Sequence, residues 1–212
     1  MTASIESAAE IEIDADDYGA DISPGTILVD RYRVLQVLGR GGMGHVYLGE
    51  HLEIGRKVAI KVLLSRWSET ESIVRRFKAE ARTASSIGHP NIVQVFDAGS
   101  LPDGRLFLVM EYLPGRDLEV EMIEVGRFEV ERACHLMRQI ALALGAGHRA
   151  GIIHRDLKPG NVMLVEQGGE EVVKVLDFGI AANAGLVLKS GERLTDPGSL
   201  MGTPEYMAPE QA

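Results

Sequence analysis

Hydrophobic positions in the first half of the chain follow two periods, one typical of strands and the other of a helix. Alternating or continuous apolar segments predict strands at residues 31–38, 45–49, 57–64, 92–96 and 106–112. Apolar residues then recur at helical spacing as far as Ile87, and Ser68 with Glu71 three residues later predicts a capping box at the start of that helix. This half therefore predicts a small, mostly antiparallel sheet that carries one long helix.

The second half of the chain has more helical pattern. It predicts helices at residues 117–125 and 130–149, followed by two short strands at 162–165 and 172–176. Beyond them the chain is rich in Gly, Ser, Thr and Pro and shows little periodicity. The sequence thus predicts a β-rich lobe followed by an α-rich lobe.

Charge is distributed unevenly along the chain. The net charge is −9, but residues 1–24 carry seven acidic residues and no basic one, which leaves 24 acidic and 22 basic residues in the remainder. We expect residues 1–25 to form a disordered acidic tail, with an interaction tail as the alternative. Because the remainder is nearly neutral and has no basic cluster, nucleic acid is not expected as a partner.

Neither a membrane segment nor a disulfide is predicted. The chain has no apolar run of about 18 residues, and no basic residue precedes an apolar run at its start as in a secretory signal. The single cysteine, Cys134, has no internal partner, which suits the reducing cytoplasm. We therefore expect a cytoplasmic protein with no membrane contact within this chain.

Three glycines, Gly39, Gly41 and Gly44, occur at a spacing that lets the backbone approach phosphates closely. An ordinary glycine turn is the alternative for this motif taken alone. A strand rather than a helix follows the glycines, so the segment predicts a hairpin and not a dinucleotide-binding turn. Lys61 ends an apolar strand, where it either extends to solvent at a sheet edge or binds an anion. If the long helix packs on the sheet, Glu80 could reach Lys61.

The segment His154-Arg155-Asp156-Leu157-Lys158-Pro159-Gly160-Asn161 joins the long second helix to a strand, and Asp177 follows the next strand. Loops that carry so many polar groups are usually functional. Carboxylate and amide oxygens near strand ends can hold Mg²⁺ together with phosphate oxygens. The alternative is a solvated loop with a chance acid.

The order of these segments resembles the protein kinase superfamily. The matching residues are the glycine-rich loop, Val58-Ala59-Ile60-Lys61, the 154–161 segment, Asp177-Phe178-Gly179 and Ala208-Pro209-Glu210. Lys158 and the segments 41–44 and 202–210 are similar to the eukaryotic-like serine/threonine kinases of bacteria. The resemblance implies an α+β, bilobal kinase-like fold, with one lobe at residues 26–112 and a partial second lobe at 113–212.

The resemblance also implies the site. By that match Asp156 accepts the proton of the substrate hydroxyl, Lys158 lies near the γ-phosphate, and Lys61, held by Glu80, contacts the other phosphates. Asn161 and Asp177 would hold Mg²⁺. The remaining residues implied to bind ATP are Leu38, Gly39, Gly41, Gly42, Gly44, Val46, Ala59, Met110, Glu111, Leu113, Asp117 and Met163.

The resemblance implies less about regulation and about the choice of substrate. Arg155 is typical of kinases switched on by phosphorylation, with Thr195 as the expected phosphosite and Thr203 in the substrate-docking loop. Ala182 stands where many relatives have a basic residue, which would remove one phosphate partner. Gly160 stands where arginine-directed kinases often have Glu, which disfavours a strict basic consensus.

The expected activity is the transfer of phosphate from ATP, with Mg²⁺, to Ser and Thr of protein substrates. Two alternatives are a nucleotide-binding pseudokinase and a fragment that acts only as an interaction module. We expect the chain to be part of a longer kinase, because one helix segment is apolar nearly all round and requires more cover than the following strands provide. Its apolar residues are Leu136, Met137, Ile140, Ala141, Leu142, Ala143 and Leu144. A homodimer through the first lobe is a further possibility that the resemblance raises.

Overall fold

The computed structural model describes residues 21–41, 44–68, 71–178 and 204–206, without the side chains of residues 66, 67, 71–73, 76, 79, 80, 83 and 204. The expectations for residues 1–20, Gly42, Thr195 and Thr203, and for the side chain of Glu80, lie outside this described part.

The first lobe is a six-stranded antiparallel sheet of order β1-β2-β3-β4-β6-β5. Its strands are β1 (Ile27–Leu28), β2 (Tyr32–Gly41), β3 (Gly44–His51), β4 (Arg56–Leu63), β5 (Val95–Ser100) and β6 (Leu106–Glu111). Two helices, α1 (Ser65–Ser68) and α2 (Glu71–Ser86), lie between β4 and β5. The β-rich lobe with one long helix is therefore confirmed.

Strand β4 is buried on both faces because it lies between two cores. Its residues Val58, Ile60 and Val62 pack with Tyr32 and Tyr47 on one face of the sheet. Ala59 and Leu63 belong to the other core, together with apolar residues of α2 and β6. The continuous apolar run of β4 is typical of a strand covered on both sides.

The second lobe begins with β7 (Gly115–Asp117), α3 (Leu118–Val125) and α4 (Val130–Arg149). A 3₁₀ turn, Pro159–Asn161, leads into β8 (Val162–Gln167) and β9 (Glu170–Val175), and a second 3₁₀ turn spans Pro204–Tyr206. Strands β7, β8 and β9 form a three-stranded antiparallel sheet. One face of α4 packs on this sheet through Leu136, Ile140 and Ala143. Within the described ranges, no helix is both long and apolar enough to cross a bilayer.

Tertiary contacts add to the local pattern at two places in the first lobe. Ser68, predicted to begin the long helix with a capping box, is the last residue of α1, and its hydroxyl accepts a hydrogen bond from the Leu106 amide at 3.0 Å. The capping box stays a prediction, because the side chain of Glu71 lies outside the described part. The strand predicted at residues 92–96 begins later, at Val95, as β5. Residues 91–94 instead run beside β9. There the Val93 amide donates to Val175 O at 3.0 Å, and the Val175 amide donates to Asn91 O at 2.8 Å.

The last part of the segment expected to be disordered is packed against the first lobe. Residues 21–25 pack on the first lobe: Ile22 is buried, and its amide donates to the Tyr47 hydroxyl at 3.2 Å. The Gly25 amide donates to Val34 O at 2.8 Å. Asp21 lies near both Arg40, at 2.6 Å, and His45 Nδ1, at 2.9 Å. Residues 21–25 are therefore attached to the two strands that form the glycine-rich hairpin.

Candidate active site

Lys61 and Asp177, 116 residues apart in sequence, meet between the two lobes. Lys61 Nζ donates to Asp177 Oδ2 at 2.6 Å, and both side chains are largely buried. Because β4 is a central strand between β3 and β6, Lys61 does not extend to solvent at a sheet edge. The contact instead places a lysine cation against the carboxylate that the sequence assigned to Mg²⁺.

A second polar contact lies within the 154–161 segment, which we call the catalytic loop. Asn161 Nδ2 donates to Asp156 O at 2.7 Å and to Asp156 Oδ2 at 3.0 Å. Arg155, with φ of 65°, and Asp177, with φ of 52°, have left-handed backbone conformations. Non-glycine residues adopt that conformation at a cost of about 1–3 kcal/mol, and such residues cluster at functional sites.

His154 joins the catalytic loop to the segment that carries Asp177, a role that sequence reasoning did not find. Its Nε2 donates to Leu176 O at 2.8 Å, and its Nδ1 accepts from the Asp156 amide at 3.3 Å. Burial lowers the pKa of His154 below its usual value, and the backbone bond to Leu176 opposes that effect. A neutral imidazole supplies the one donor and one acceptor that these bonds require.

Phe178 anchors the same segment from the other side. Its ring meets the His154 ring edge-to-face with centroids 4.9 Å apart, and it is fully buried against Gly147 of α4. A Cβ built on Gly147 would lie 2.5 Å from Phe178 Cε1. The position of Asp177 therefore depends on a helix glycine that no sequence pattern distinguished.

Apolar residues predicted to surround the adenine lie together at the edge of the first lobe. Val46, Ala59, Met110 and Leu113 belong to one core cluster, with Ala59 directly opposite Met110 across β4 and β6. Leu38, within β2, is 41% exposed. These contacts leave an apolar wall beside Lys61.

Two of the residues predicted to make polar contacts with the nucleotide, Glu111 and Asp117, already form hydrogen bonds within the protein. The Glu111 amide donates to Gln94 O at 2.9 Å, so of its two backbone groups only the carbonyl is a candidate for the adenine. Asp117, which faces Met163 across β7 and β8, caps α3 by accepting from the Val120 amide at 2.8 Å. Its proposed contact with the ribose would be additional to this capping role.

The glycine-rich segment forms the hairpin that the sequence predicted. Gly39 and Gly41 lie in β2, and Gly41 pairs with Gly44 at the start of β3. A Cβ on Gly44 would overlap Val62 O, so only glycine allows β3 to approach β4 this closely. The hairpin extends past the point at which Val46 of β3 pairs with Lys61 of β4.

A buried ion pair connects the lobes beside this site. Lys174 Nζ of β9 donates to both oxygens of Glu111, at 2.8 and 3.1 Å, and Glu111 Oε1 also accepts from the Gln94 amide at 2.8 Å. Lys174 is 8% exposed. A lysine within an apolar strand pattern was the available signal, but its partner 63 residues away could not be inferred from it.

The side chains at the site suit a divalent cation shared with phosphate. Asp177 and Asn161 present carboxylate and amide oxygens, the ligands that Mg²⁺ prefers, and Lys61 balances the Asp177 charge. In the part of the chain that the structure describes, no three His, Cys, Asp or Glu side chains are grouped to hold an ion by themselves.

Comparison with known proteins gives consistent matches. The family described as "Protein kinase domain" matches residues 32–212. The chain is 46% identical over 183 residues to serine/threonine-protein kinase Pkn1 of Myxococcus xanthus, covering 85% of this chain and 25% of that protein. It is 38% identical over 188 residues to serine/threonine-protein kinase PrkC of Bacillus subtilis, covering 89% and 28%.

A solved structure shows the same architecture. The PknI kinase domain of Mycobacterium tuberculosis superposes with a TM-score of 0.68 at 32% identity, covering 76% of this chain and 64% of that one. The expected bilobal fold is thereby confirmed. The chain spans about a quarter of the length of Pkn1 and PrkC.

Proposed function

Because the chain belongs to the protein kinase family, we propose that it supplies the ATP site and catalytic loop of an enzyme that phosphorylates Ser and Thr hydroxyls of protein substrates. The observation that carries this proposal is the 2.6 Å contact of Lys61 with Asp177, beside the Asn161–Asp156 pair. The four side chains of this group, Lys61, Asp156, Asn161 and Asp177, are those that phosphoryl transfer requires. Their presence disfavours the pseudokinase alternative.

In the proposed reaction, Asp156 accepts the proton of the substrate hydroxyl as its oxygen attacks the γ-phosphorus. The bond from that phosphorus to the oxygen bridging the β- and γ-phosphates breaks, and ADP leaves. Asn161 holds the Asp156 carboxylate at 3.0 Å and so restricts the direction in which it can accept the proton. Lys158 would stabilise the charge on the transferred group.

ATP binding would separate the Lys61–Asp177 pair. Lys61 would turn to the α- and β-phosphates, held there by Glu80, while Asp177 and Asn161 would take Mg²⁺, which neutralises phosphate charge when bound. Lys61 and Asp177 would each exchange one charged partner for another, so neither buried charge would be left without a counter-charge. The apolar wall formed by Val46, Ala59, Met110 and Leu113 would accept the adenine.

Regulation and assembly belong to the same proposal. Phosphorylation of Thr195 would add a charge for Arg155 to bind, and Thr203 would contact the substrate. A homodimer through the first lobe, which the resemblance raises, belongs to the same proposal. We place the kinase part in the cytoplasm, where ATP is available.

The proposal is tested by phosphate transfer. The full-length gene product is incubated with Mg²⁺, labelled ATP and a generic protein substrate, and wild type is compared with Asp156→Asn. We expect at least a ~100-fold loss of incorporation, the usual effect of removing a general base. Asp103→Asn, at an exposed turn, is the matched control and should retain activity. Equal incorporation by wild type and Asp156→Asn would refute the proposal.

A further inference from the structure

Gly160 of the catalytic loop makes room for a carboxylate that comes from another element. Gly160 lies in the 3₁₀ turn beside Asn161, and its φ is not positive, so the backbone conformation does not require glycine. A Cβ built on it would lie 2.9 Å from Glu119 Oε2 in the first turn of α3. The space next to the catalytic loop is thus filled by an acid 41 residues earlier in sequence.

The charge of Glu119 is not compensated within the described part of the protein. Helix α3 carries three acidic residues, and two of them are paired with arginine. Glu121 contacts Arg116 at 3.1 Å and Arg132 at 2.6 Å, and Glu124 also contacts Arg116. Glu119 is exposed and forms no ion pair with any described residue. The one unpaired acid of α3 is therefore the one at the catalytic loop.

We propose that Glu119 is a specificity-determining residue that binds an Arg or Lys of the protein substrate close to the phosphorylated hydroxyl. This inference rests on the proposed function, because it needs a peptide at Asp156. Glu119 approaches the residue next to Asn161, and Asn161 contacts Asp156 directly. An extended peptide advances about 3.3 Å per residue, so a basic side chain within about three positions of the acceptor can reach this carboxylate.

Glycine at position 160, considered by itself, disfavours a basic consensus, since the loop then has no acid of its own. The tertiary structure supplies a carboxylate at the same place from α3. A competing explanation is that Glu119 only stabilises the helix, because an acid in the first turn interacts favourably with the helix dipole. That role would affect stability, not substrate choice.

The two explanations are separated by peptide selectivity. The full-length protein is assayed with Ser peptides that carry Arg, Ala or Glu at each of the three positions on either side of the acceptor. We expect wild type to prefer Arg at one position by about three- to tenfold in kcat/KM, mainly through KM, as for a partly exposed charge-assisted contact. Glu119→Gln should lose that preference, and Glu119→Lys should shift it toward Glu.

Glu131→Gln, which removes an exposed acid from the first turn of α4, is the matched control and should keep the wild-type preference. Identical preferences in wild type and Glu119→Gln, with both active, would overturn the assignment and leave the proposed function intact. Phosphorylation of no peptide by any variant would contradict the proposed function, and the assignment with it.

Discussion

The contact between Gly147 and Phe178 gives a prediction in which helix propensity and packing oppose each other. Gly147 is buried within α4, where replacing glycine by alanine normally stabilises a helix by about 0.8–1.0 kcal/mol. At this position the new methyl group would lie 2.5, 3.1 and 3.4 Å from three atoms of the Phe178 ring. Carbon atoms prefer separations of about 3.5–4.0 Å, so the ring must move by roughly 1 Å.

The packing cost should exceed the propensity gain. Overpacking of a filled core costs about 1–3 kcal/mol, so Gly147→Ala should be destabilised by up to about 2 kcal/mol after the helix gain is subtracted. Movement of Phe178 would also disturb its contact with His154 and the adjacent Asp177. We therefore expect a higher KM for ATP or a lower kcat in the same variant.

Gly145, two residues earlier in α4, is the matched control. A Cβ on Gly145 would meet only Arg149 Nη1 at 3.5 Å, an ordinary contact with a flexible side chain. Gly145→Ala should gain up to about 1 kcal/mol, so the two variants should differ by about 1–3 kcal/mol. Urea unfolding measures this difference, and thermal unfolding should show it as roughly 2–4 °C per kcal/mol. Equal stabilisation of both variants would refute the packing argument.

Two further predictions concern buried titratable groups. Lys174→Met should lower the free energy of unfolding by about 3 kcal/mol, because Glu111 is left as an uncompensated buried charge. Urea unfolding should show that part of this stability is recovered in the double variant Lys174→Met/Glu111→Gln. If the effects of the two substitutions on the free energy of unfolding simply add, the pairing is contradicted. For His154, burial lowers the folded-state pKa, so below about pH 6.5 the unfolded chain binds a proton that the folded chain does not. Stability should therefore fall with decreasing pH more steeply in wild type than in His154→Gln, and parallel pH profiles would count against a neutral buried imidazole.

Local pattern predicted most of the described elements. Strands β2, β3, β4 and β6 and helices α3 and α4 occur close to their predicted positions. Errors arose where distant groups competed for the same atoms. Residues 91–94 pair with β9 instead of entering β5, and the Ser68 hydroxyl has a partner, the Leu106 amide, that its local sequence does not indicate. Hydrophobic period identifies which face is buried, but it does not identify what will cover that face.

The sequence alone determined the chemical groups of the site and their order, because the glycine hairpin and the catalytic loop are local in the chain. The pairings between those groups were decided by the tertiary structure. Lys61 contacts Asp177 across 116 residues, Lys174 contacts Glu111 across 63, and Glu119 occupies the space left by Gly160. Side-chain contacts of this kind depend on how the sheet, α3 and α4 pack together. That packing is set by the apolar surface they bury jointly, which no single segment of sequence contains.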